Sequence, residues 1–373
     1  MKKVAVIGGS YLQLPLVKRA KELGIETHCF SWQDGAVCEK ESDFFYPISI
    51  IEKELILEEC RRIGIDGITS IASDVAVITV NYVAHHLGLL CNPYQYTGIT
   101  TNKYQMRRRF MECGIPSPRF ALAGVQDLPN LSEFRYPLIV KPTDRSGSLG
   151  VEMIEKPCQL EHAIARACGN SFEQKAIVEE FVPGREISVE SISFDGRHHI
   201  LQITDKVTTG HPFFVELEHH QPSSLPQPVQ QKVEAIVLRA LDALHITYGA
   251  SHSELKITPE GDIRVIEIGA RMGGDFIGSD LVKLSTGYDF VQGVIEVALG
   301  SFRPPVLSAP AYAGVYFLSQ ETAALRPYIL HPEQVPEIVA AAITDPQLRS
   351  VQCSAQRSGY LIYQSKTGKL QLP

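Results

Sequence analysis

Glu254-Leu255-Lys256-Ile257-Thr258-Pro259-Glu260-Gly261-Asp262-Ile263-Arg264-Val265-Ile266-Glu267 is the stretch from which the rest of the chain can be read. Its flanks are rich in β-branched residues and its middle is turn chemistry, so a β-hairpin is expected. A turn centred between Glu260 and Gly261 sets Glu254 opposite Glu267 on one face, with Cβ atoms roughly 5 Å apart. Two carboxylates at that separation repel by about 3 kcal/mol at an effective dielectric of ~20. A divalent cation that also holds phosphate oxygens would offset this. The alternative is an exposed hairpin whose two acids point to water.

The chain has 373 residues, 44% of them hydrophobic, which is enough for two or three domains. Its net charge of −7 leaves no basic run large enough for a nucleic-acid surface, and Arg107-Arg108-Arg109 reads as the solvated face of a helix. The eight cysteines form no CxxC pair and sit mostly in apolar segments, which suits buried thiols in a reducing cytoplasm. Met1 to Gly9 runs straight into a strand without a signal h-region, and no apolar run reaches membrane-spanning length. The expectation is a cytoplasmic protein acting on small molecules, with neither a nucleic-acid nor a membrane partner.

Residues 1–100 alternate strand and helix: Val4 to Ile7, a helix through Leu16, Ala20 and Leu23, Ile25 to Phe30, Glu52 to Ile63, Gly67 to Ser70, and Asp74 to Leu87. That alternation implies a parallel sheet wrapped by helices. Gly8-Gly9-Ser10 lacks the GxGxxG spacing and no acid ends the second strand, so a tight turn fits better than a dinucleotide site. Thr101-Asn102-Lys103 opens a helix, and Gly114 with Pro116-Ser117-Pro118 marks a boundary. Beyond it come antiparallel segments: Leu138 to Lys141, Ala176 to Glu179, and Ile187 to Phe194 turning through Asp195-Gly196 into His199 to Thr204. Val229, Val233, Ile236, Val237, Ala240, Leu241 and Leu244 form one apolar helix stripe. The fold class is therefore α/β followed by α+β. A parallel-sheet domain (1–100) precedes a central region (101–305) with a lid at about 119–182, and Pro304-Pro305 and Pro310 lead to a small C-terminal segment (306–373). The apolar Ala309 to Leu318 run could cover part of a homodimer interface.

Lys141 ends a strand and enters Pro142-Thr143-Asp144-Arg145-Ser146-Gly147-Ser148-Leu149-Gly150. Small residues let backbone N–H groups approach phosphate oxygens, and a lysine adds a point charge. GxxxxGK[ST] is absent, and a bare surface loop is the alternative. Val178-Glu179-Glu180-Phe181-Val182 meets Pro183-Gly184, a hinge able to face an adenine edge and a ribose, or a plain strand end. Arg271, four residues after Glu267, could neutralise a reacting acyl or phosphoryl oxygen, or form a surface salt bridge. His252 falls opposite Gly269 on the face of the two acids. There it could orient a substrate, accept a proton from an amine, or be structural.

Taken in order, Lys103, Lys141 with its Ser/Gly loop, Glu179-Glu180-Phe181-Val182, Glu186, Glu254 and Glu267-Ile268-Gly269-Ala270-Arg271 resemble the ATP-grasp superfamily over roughly residues 1 to 305. The resemblance implies ATP and two Mg2+ ions, with Mn2+ able to substitute. It would set Lys103 and Lys141 on the α- and β-phosphates and close Ser146, Gly147, Ser148 and Gly150 over the nucleotide. Glu179, Phe181 and Val182, with Glu180 in the same segment, would meet the adenine, Glu186 the ribose, and Glu254 and Glu267 the metal. Gly9 and Ser10 would face the acceptor substrate. Many relatives carry Glu-x-Asn where this chain has Gly269. Glu-x-Gly-Ala-Arg-x-Gly-Gly-Asp, Ser251-His252-Ser253-Glu254 and Phe214 to Pro222 look most like the carboxylate–amine (amino-acid) ligase branch, which joins an acid to an amine through an acyl phosphate. On that likeness Arg271 and His252 would be catalytic, and Glu216, His220, Gly273, Gly274 and Asp275 would contact substrate. A carboxylase-like enzyme phosphorylating bicarbonate for nucleotide synthesis is one alternative, and a nucleotide-binding regulator without turnover is another. Gly273-Gly274-Asp275 and His219-His220-Gln221-Pro222 favour a larger, carboxylate-bearing substrate, and the full set of lysines, acids and Arg271 argues for turnover.

Overall fold

The computed structural model of the protein describes residues 1–147, 149–308 and 311–372, which fold around three sheets. β1 (Lys3–Ile7), β2 (Glu26–Phe30), β3 (Phe44–Tyr46) and β4 (Gly67–Thr69) are all parallel, in the order β3-β2-β1-β4. Val4 to Ile7 are wholly buried, as a strand covered on both faces requires. The helix Asp74–Leu87 follows β4. Ser73 caps it by accepting from the Ala76 N–H, and Gly88 ends it at φ +67. The chain leaves β1 toward β2 and leaves β4 toward the other side. The C-terminal ends of β1 and β4 thus flank the crevice where the strand order reverses.

The second sheet is antiparallel: β5 (Phe120–Ala123), β6 (Leu138–Pro142), β7 (Glu152–Ile154) and β8 (Ala176–Glu180), in the order β5-β8-β6-β7. The helix Leu160–Asn170 covers one face with Ala163, Ile164 and Ala167.

The third sheet holds β9 (Arg185–Phe194), β10 (Arg197–Thr208), β11 (Glu216–Gln221), β12 (Gly249–Ile257), β13 (Ile263–Gly269), β14 (Tyr312–Leu318), β15 (Ile338–Ile343) and β16 (Gly359–Ser365). Their order is β13-β12-β9-β10-β11-β14-β16-β15, so the segment after residue 305 continues the central sheet through the β11–β14 pairing. Strand alternation divides this sheet by chemistry. Ile187, Val189, Ile203, Leu255 and Val265 pack under Val233, Val237, Ala240 and Leu241 of the helix Gln227–Ala243. Each such side chain contributes about 1.5–3 kcal/mol on burial. Glu186, Glu190, Lys206, His252 and Glu254 lie on the other face. The helix Phe290–Ala298 then runs back to pack Phe290, Val294 and Ile295 with Val4, Val6 and Leu16, giving the parallel and central sheets a shared core.

The β12–β13 hairpin pairs Glu254 with Glu267 and His252 with Gly269, by a route different from the symmetric turn expected. Ile257 pairs with Ile263, so the loop is centred on Glu260, and a bulge at Ile266 restores the register. Arg107 donates to the Ile266 carbonyl. It is wholly buried, which corrects its assignment to a solvated helix face; its neighbour Arg108 is exposed.

Candidate active site

A cleft of about 210 Å³ opens on the polar face of the central sheet. One end is apolar, formed by Ile139, Val151, Phe181, Val182, Phe214 and Ile266. The other is charged, with Asp74, Lys103, Lys141, Glu254, Glu267 and Arg271.

Lys103 opens the helix Lys103–Glu112, whose Asn102 cap accepts from the Gln105 N–H. Its Nζ donates to Glu267 Oε1 at 2.8 Å and to the Arg145 carbonyl at 2.6 Å, which ties the Ser/Gly loop to the hairpin. Burial pushes the Lys103 ammonium down, but Glu267 outweighs it and the group stays charged above its ordinary value. Lys141, on β6, reaches Glu179 Oε2 at 2.7 Å, while Arg107 takes Glu179 Oε1 at 2.7 Å. Burial lowers the Lys141 ammonium against the pull of Glu179, and Arg107 adds to the lowering. Glu179 is 3% exposed and both its oxygens are engaged, so it anchors two cations instead of offering an edge to a base. An adenine contact by Glu179 would therefore fall to its backbone, not to its carboxylate.

The repulsion between Glu254 and Glu267 is offset by the protein's own cations. Lys206 Nζ stands 2.7 Å from Glu254, 3.2 Å from Glu186 and 3.6 Å from Glu216, so one buried ammonium gathers three cleft carboxylates. Burial pushes Glu254 up, yet Lys206 and then His252 hold its carboxyl well below the usual range. His252 bonds through Nδ1 to wholly buried Glu190, and its Nε2 lies 3.4 Å from Glu254. Burial lowers the imidazole, but Glu190 and Glu254 raise it to about 9. The two carboxylates thus favour the imidazolium, the form that pairs with Glu190 and Glu254. Arg271 forks onto Asp74, with Nε to Oδ1 at 2.9 Å and Nη2 to Oδ2 at 3.0 Å. Burial opposes its charge, Asp74 restores it, and the guanidinium lies above its ordinary value.

Of the residues singled out in the sequence, the cleft brings together Lys103, Lys141, Ser146, Gly147, Glu179, Glu180, Phe181, Val182, Glu186, Glu216, His252, Glu254, Glu267 and Arg271. Gly150 turns the loop at φ +72 behind it, against Pro142 and Asn170. Ser148 lies outside the described residues. Gly273, Gly274 and Asp275 line a separate small cavity with Tyr11 and Leu12, so the two residues after Gly9 and Ser10 reach it, while the Ser10 hydroxyl turns inward to Gln13. His220 is a correction: it is buried between Tyr363 (3.0 Å) and Glu218 (2.7 Å), away from the cleft. His219 shares the polar face with its register partner Lys206, since adjacent strand residues point to opposite sides. Asp74, Arg107, Glu190, Lys206 and Lys256 were missed. Strand parity with Glu186 could have revealed Glu190 and Lys206, but Asp74 and Arg107 carry no local signal. Lys256 Nζ sits 4.9 Å over the Phe181 ring and 5.5 Å over Phe214, at the apolar end.

A nucleotide with a divalent cation fits this donor set. The apolar end is of base type, the lysines face phosphate, and among the described residues no hydrogen bond takes Oε2 of either Glu254 or Glu267. No helix is long and apolar enough to cross a membrane, among the residues described.

Comparison with known proteins agrees. The ATP-grasp domain family matches residues 134–280. Carnosine synthase 1 of Gallus gallus is 31% identical over 203 residues, covering 50% of this chain and 21% of that protein. Alanine–anticapsin ligase of Bacillus subtilis is 26% identical over 268 residues, covering 65% and 56%. The chain thus spans less than two thirds of either relative. The crystal structure of L-amino acid ligase from Bacillus licheniformis superposes with a TM-score of 0.81 at 24% identity, over 98% of this chain and 94% of that one. The chain carries an ATP-grasp domain over residues 134–280.

Proposed function

We propose that the chain is an ATP-dependent, ADP-forming ligase that joins a carboxylate to an amine through an acyl phosphate, on amino-acid-like substrates. The observation that carries this is the charged end of the cleft. Glu254 and Glu267 are opposed there, each with one oxygen on a lysine, and Arg271 lies two residues beyond the hairpin. The names of the similar proteins point the same way.

A bound divalent cation supplies positive charge to the phosphate oxygens, and two ions with Mn2+ able to substitute are part of the reading. Lys103 and Lys141 neutralise the phosphates, and Phe181, Val182 and Phe214 seat the base. Asp74 takes Nε and Nη2 of Arg271 and the Met272 carbonyl lies 3.4 Å from Nη1, so the second N–H of each terminal nitrogen is what is left for an oxygen that gains charge as the acyl phosphate forms and is attacked. The 144–150 loop, held by Lys103 at Arg145 and by Asp144 on the Phe172 and Glu173 N–H groups, keeps water from the acyl phosphate. His252, charged, holds Glu254 in place. A cytoplasmic homodimer completes the reading, and a single-chain mass by light scattering at micromolar concentration would overturn the dimer.

The test is ADP and phosphate release with pairs of amino acids, with mass spectrometry of the product. ADP released only with both an acid and an amine, with a condensed product, supports the ligase. Bicarbonate-dependent ADP release without an amine would replace it with a carboxylase, and no stimulated ADP release with any pair would overturn turnover altogether.

A further inference from the structure

A groove of about 680 Å³ lies between β5 and β13, each the edge strand of its sheet. The continuous segment 114–122 lines it and is pinned on both sides. The Pro116 carbonyl accepts from the Val265 N–H of β13 at 2.8 Å, and the Arg119 carbonyl accepts from the Glu180 N–H of β8 at 3.0 Å. Pro118, which is buried, lines this groove and the main cleft alike, so the two stand back to back across one residue. Glu180 and Ile266, in or beside the strands that hold this segment, face the main cleft.

The lining has an apolar part and a cationic part. Tyr104 and Phe120 meet edge to face with ring centroids 5.7 Å apart, and Met111 and Leu122 add aliphatic surface. Arg108, Arg119 and Arg264 bring guanidiniums from the helix Lys103–Glu112, the segment before β5 and β13, and no Asp or Glu is among the described residues that line the groove. In a chain of net charge −7 this is a local reversal of sign. Each guanidinium is engaged through a single terminal nitrogen among the described residues. Arg108 lies 3.6 Å from Glu112, Arg119 meets the Glu133 carboxylate at 3.0 Å and its carbonyl at 2.8 Å, and Arg264 meets Asp262 at 3.1 Å. All three acids are exposed, and such pairs contribute little, so an incoming anion can replace them. The remaining nitrogens of each fork suit a carboxylate or a phosphate.

We propose that this groove is an effector site for a small organic anion with a flat apolar body, its carboxylate or phosphate on the arginines and its body against Tyr104 and Phe120. The volume is that of a small-molecule site. An occupant touches the edge of the second sheet and the edge of the central sheet at once. It therefore favours the arrangement described here, in which Lys103 holds the 144–150 loop at the Arg145 carbonyl and Glu267 at the hairpin. ATP bound beneath that loop gains from the same arrangement, so each ligand tightens the other.

The experiment is calorimetric titration of 2-naphthoate and of 2-naphthyl phosphate into the purified chain saturated with MgADP, which keeps both probes out of the nucleotide cleft. At least one binds with a Kd of about 1 mM or tighter, and which one does so separates a carboxylate ligand from a phosphate ligand. 2-Naphthylmethanol, the same body without the charge, and acetate and inorganic phosphate, the charge without the body, bind about tenfold more weakly or less. The double variant Arg119→Ala/Arg264→Ala weakens the probe by about tenfold or more. Its MgADP affinity without probe stays that of the wild type, which shows that the cleft is intact. With the probe at saturation the Kd for ATP falls by about fivefold or more in the wild type and is unmoved in the double variant. No binding of either probe, equal affinity for the neutral body, or undiminished affinity in the double variant would overturn the site. An ATP affinity that stays constant or weakens as the probe binds would overturn its role as an effector site. None of these readouts requires ligation, so a failure of the ligase reading is not mistaken for a failure of the groove.

Discussion

At the scale of single residues, the charged end of the cleft is a set of mutually neutralised groups, and each removal exposes its partner. Glu267→Gln deprives the buried Lys103 ammonium of its carboxylate, so it should abolish ADP release and also destabilise the chain by about 1–3 kcal/mol. The hairpin alone predicts the opposite sign, relief of repulsion, because it shows the two acids without their lysines. Urea melts beside ADP assays separate the two, and a more stable variant would contradict the pairing seen here. Arg271→Lys keeps the charge but loses the fork on Asp74. Ligation should fall by about 10²–10³-fold, the scale for one oxyanion donor. ATP affinity should change little, whereas Lys141→Ala weakens it directly. Calorimetric ATP titration of both variants decides whether Arg271 belongs to the reacting group or to the nucleotide. His252 has a folded pKa of about 9 against roughly 6.5 when free, a raised value. Its contribution, up to about 3 kcal/mol, is complete below pH ~6.5 and is lost as pH rises through ~9. The melting-temperature gap between the wild type and His252→Gln should therefore shrink over that window. A gap that widens with pH would mean a neutral imidazole.

At the scale of elements, the β8–β9 connection is the tightest constraint near the apolar end. Gly184 has φ +116, and a Cβ there would overlap the Ile257 carbonyl oxygen at the end of β12. Gly184→Ala must move β9 away from β12 or shift the 180–183 segment that carries Phe181 and Val182. A cost of at least about 2 kcal/mol and a raised KM for ATP are expected. Unchanged stability would show that the backbone relaxes freely there. The Ile266 bulge is a similar device: it sets Glu267 opposite Glu254 and frees a carbonyl, which Arg107 then takes. The turn residues Thr258 to Asp262 announce a hairpin, but a bulge depends on what meets the strand from outside, and no local pattern encodes that.

At the scale of the whole molecule, Asp74 and Arg271 join the parallel sheet to the central sheet at the reacting end of the cleft. Asp74→Asn leaves a buried guanidinium short of its counter-charge, and a loss of about 3–5 kcal/mol in urea unfolding is expected. It should also misplace Arg271, so ligation falls further than ATP binding does. Equal losses in both would reduce the pair to a structural tie. Arg107 does the same between the lid strand β8, through Glu179, and β13, through Ile266. The Asp74–Arg271 tie sits beside the shared core formed by the helix Phe290–Ala298 with β1, to which Ile71 and Met272 belong, so relative movement of the parallel and central sheets strains packing as well as charge.

The alternation of β-branched and polar residues, the glycine turns and the spacing from Lys103 to Arg271 were enough, from the sequence alone, to indicate the sheets, the hairpin and many of the residues that gather in the cleft, though not Asp74 or Lys256. Periodicity and turn chemistry are local, and so is the parity that puts Glu254 and Glu267 on one face. The partner of each charge was decided only by tertiary structure. Lys206 with Glu254, Arg107 with Glu179, Asp74 with Arg271 and Arg357 with Asp275 are joined across 48 to 197 positions of chain. Burial and pairing of a charge depend on which distant element arrives beside it. That is why Arg107 looked solvated, His220 looked functional and the part played by His252 stayed open until the packing was known.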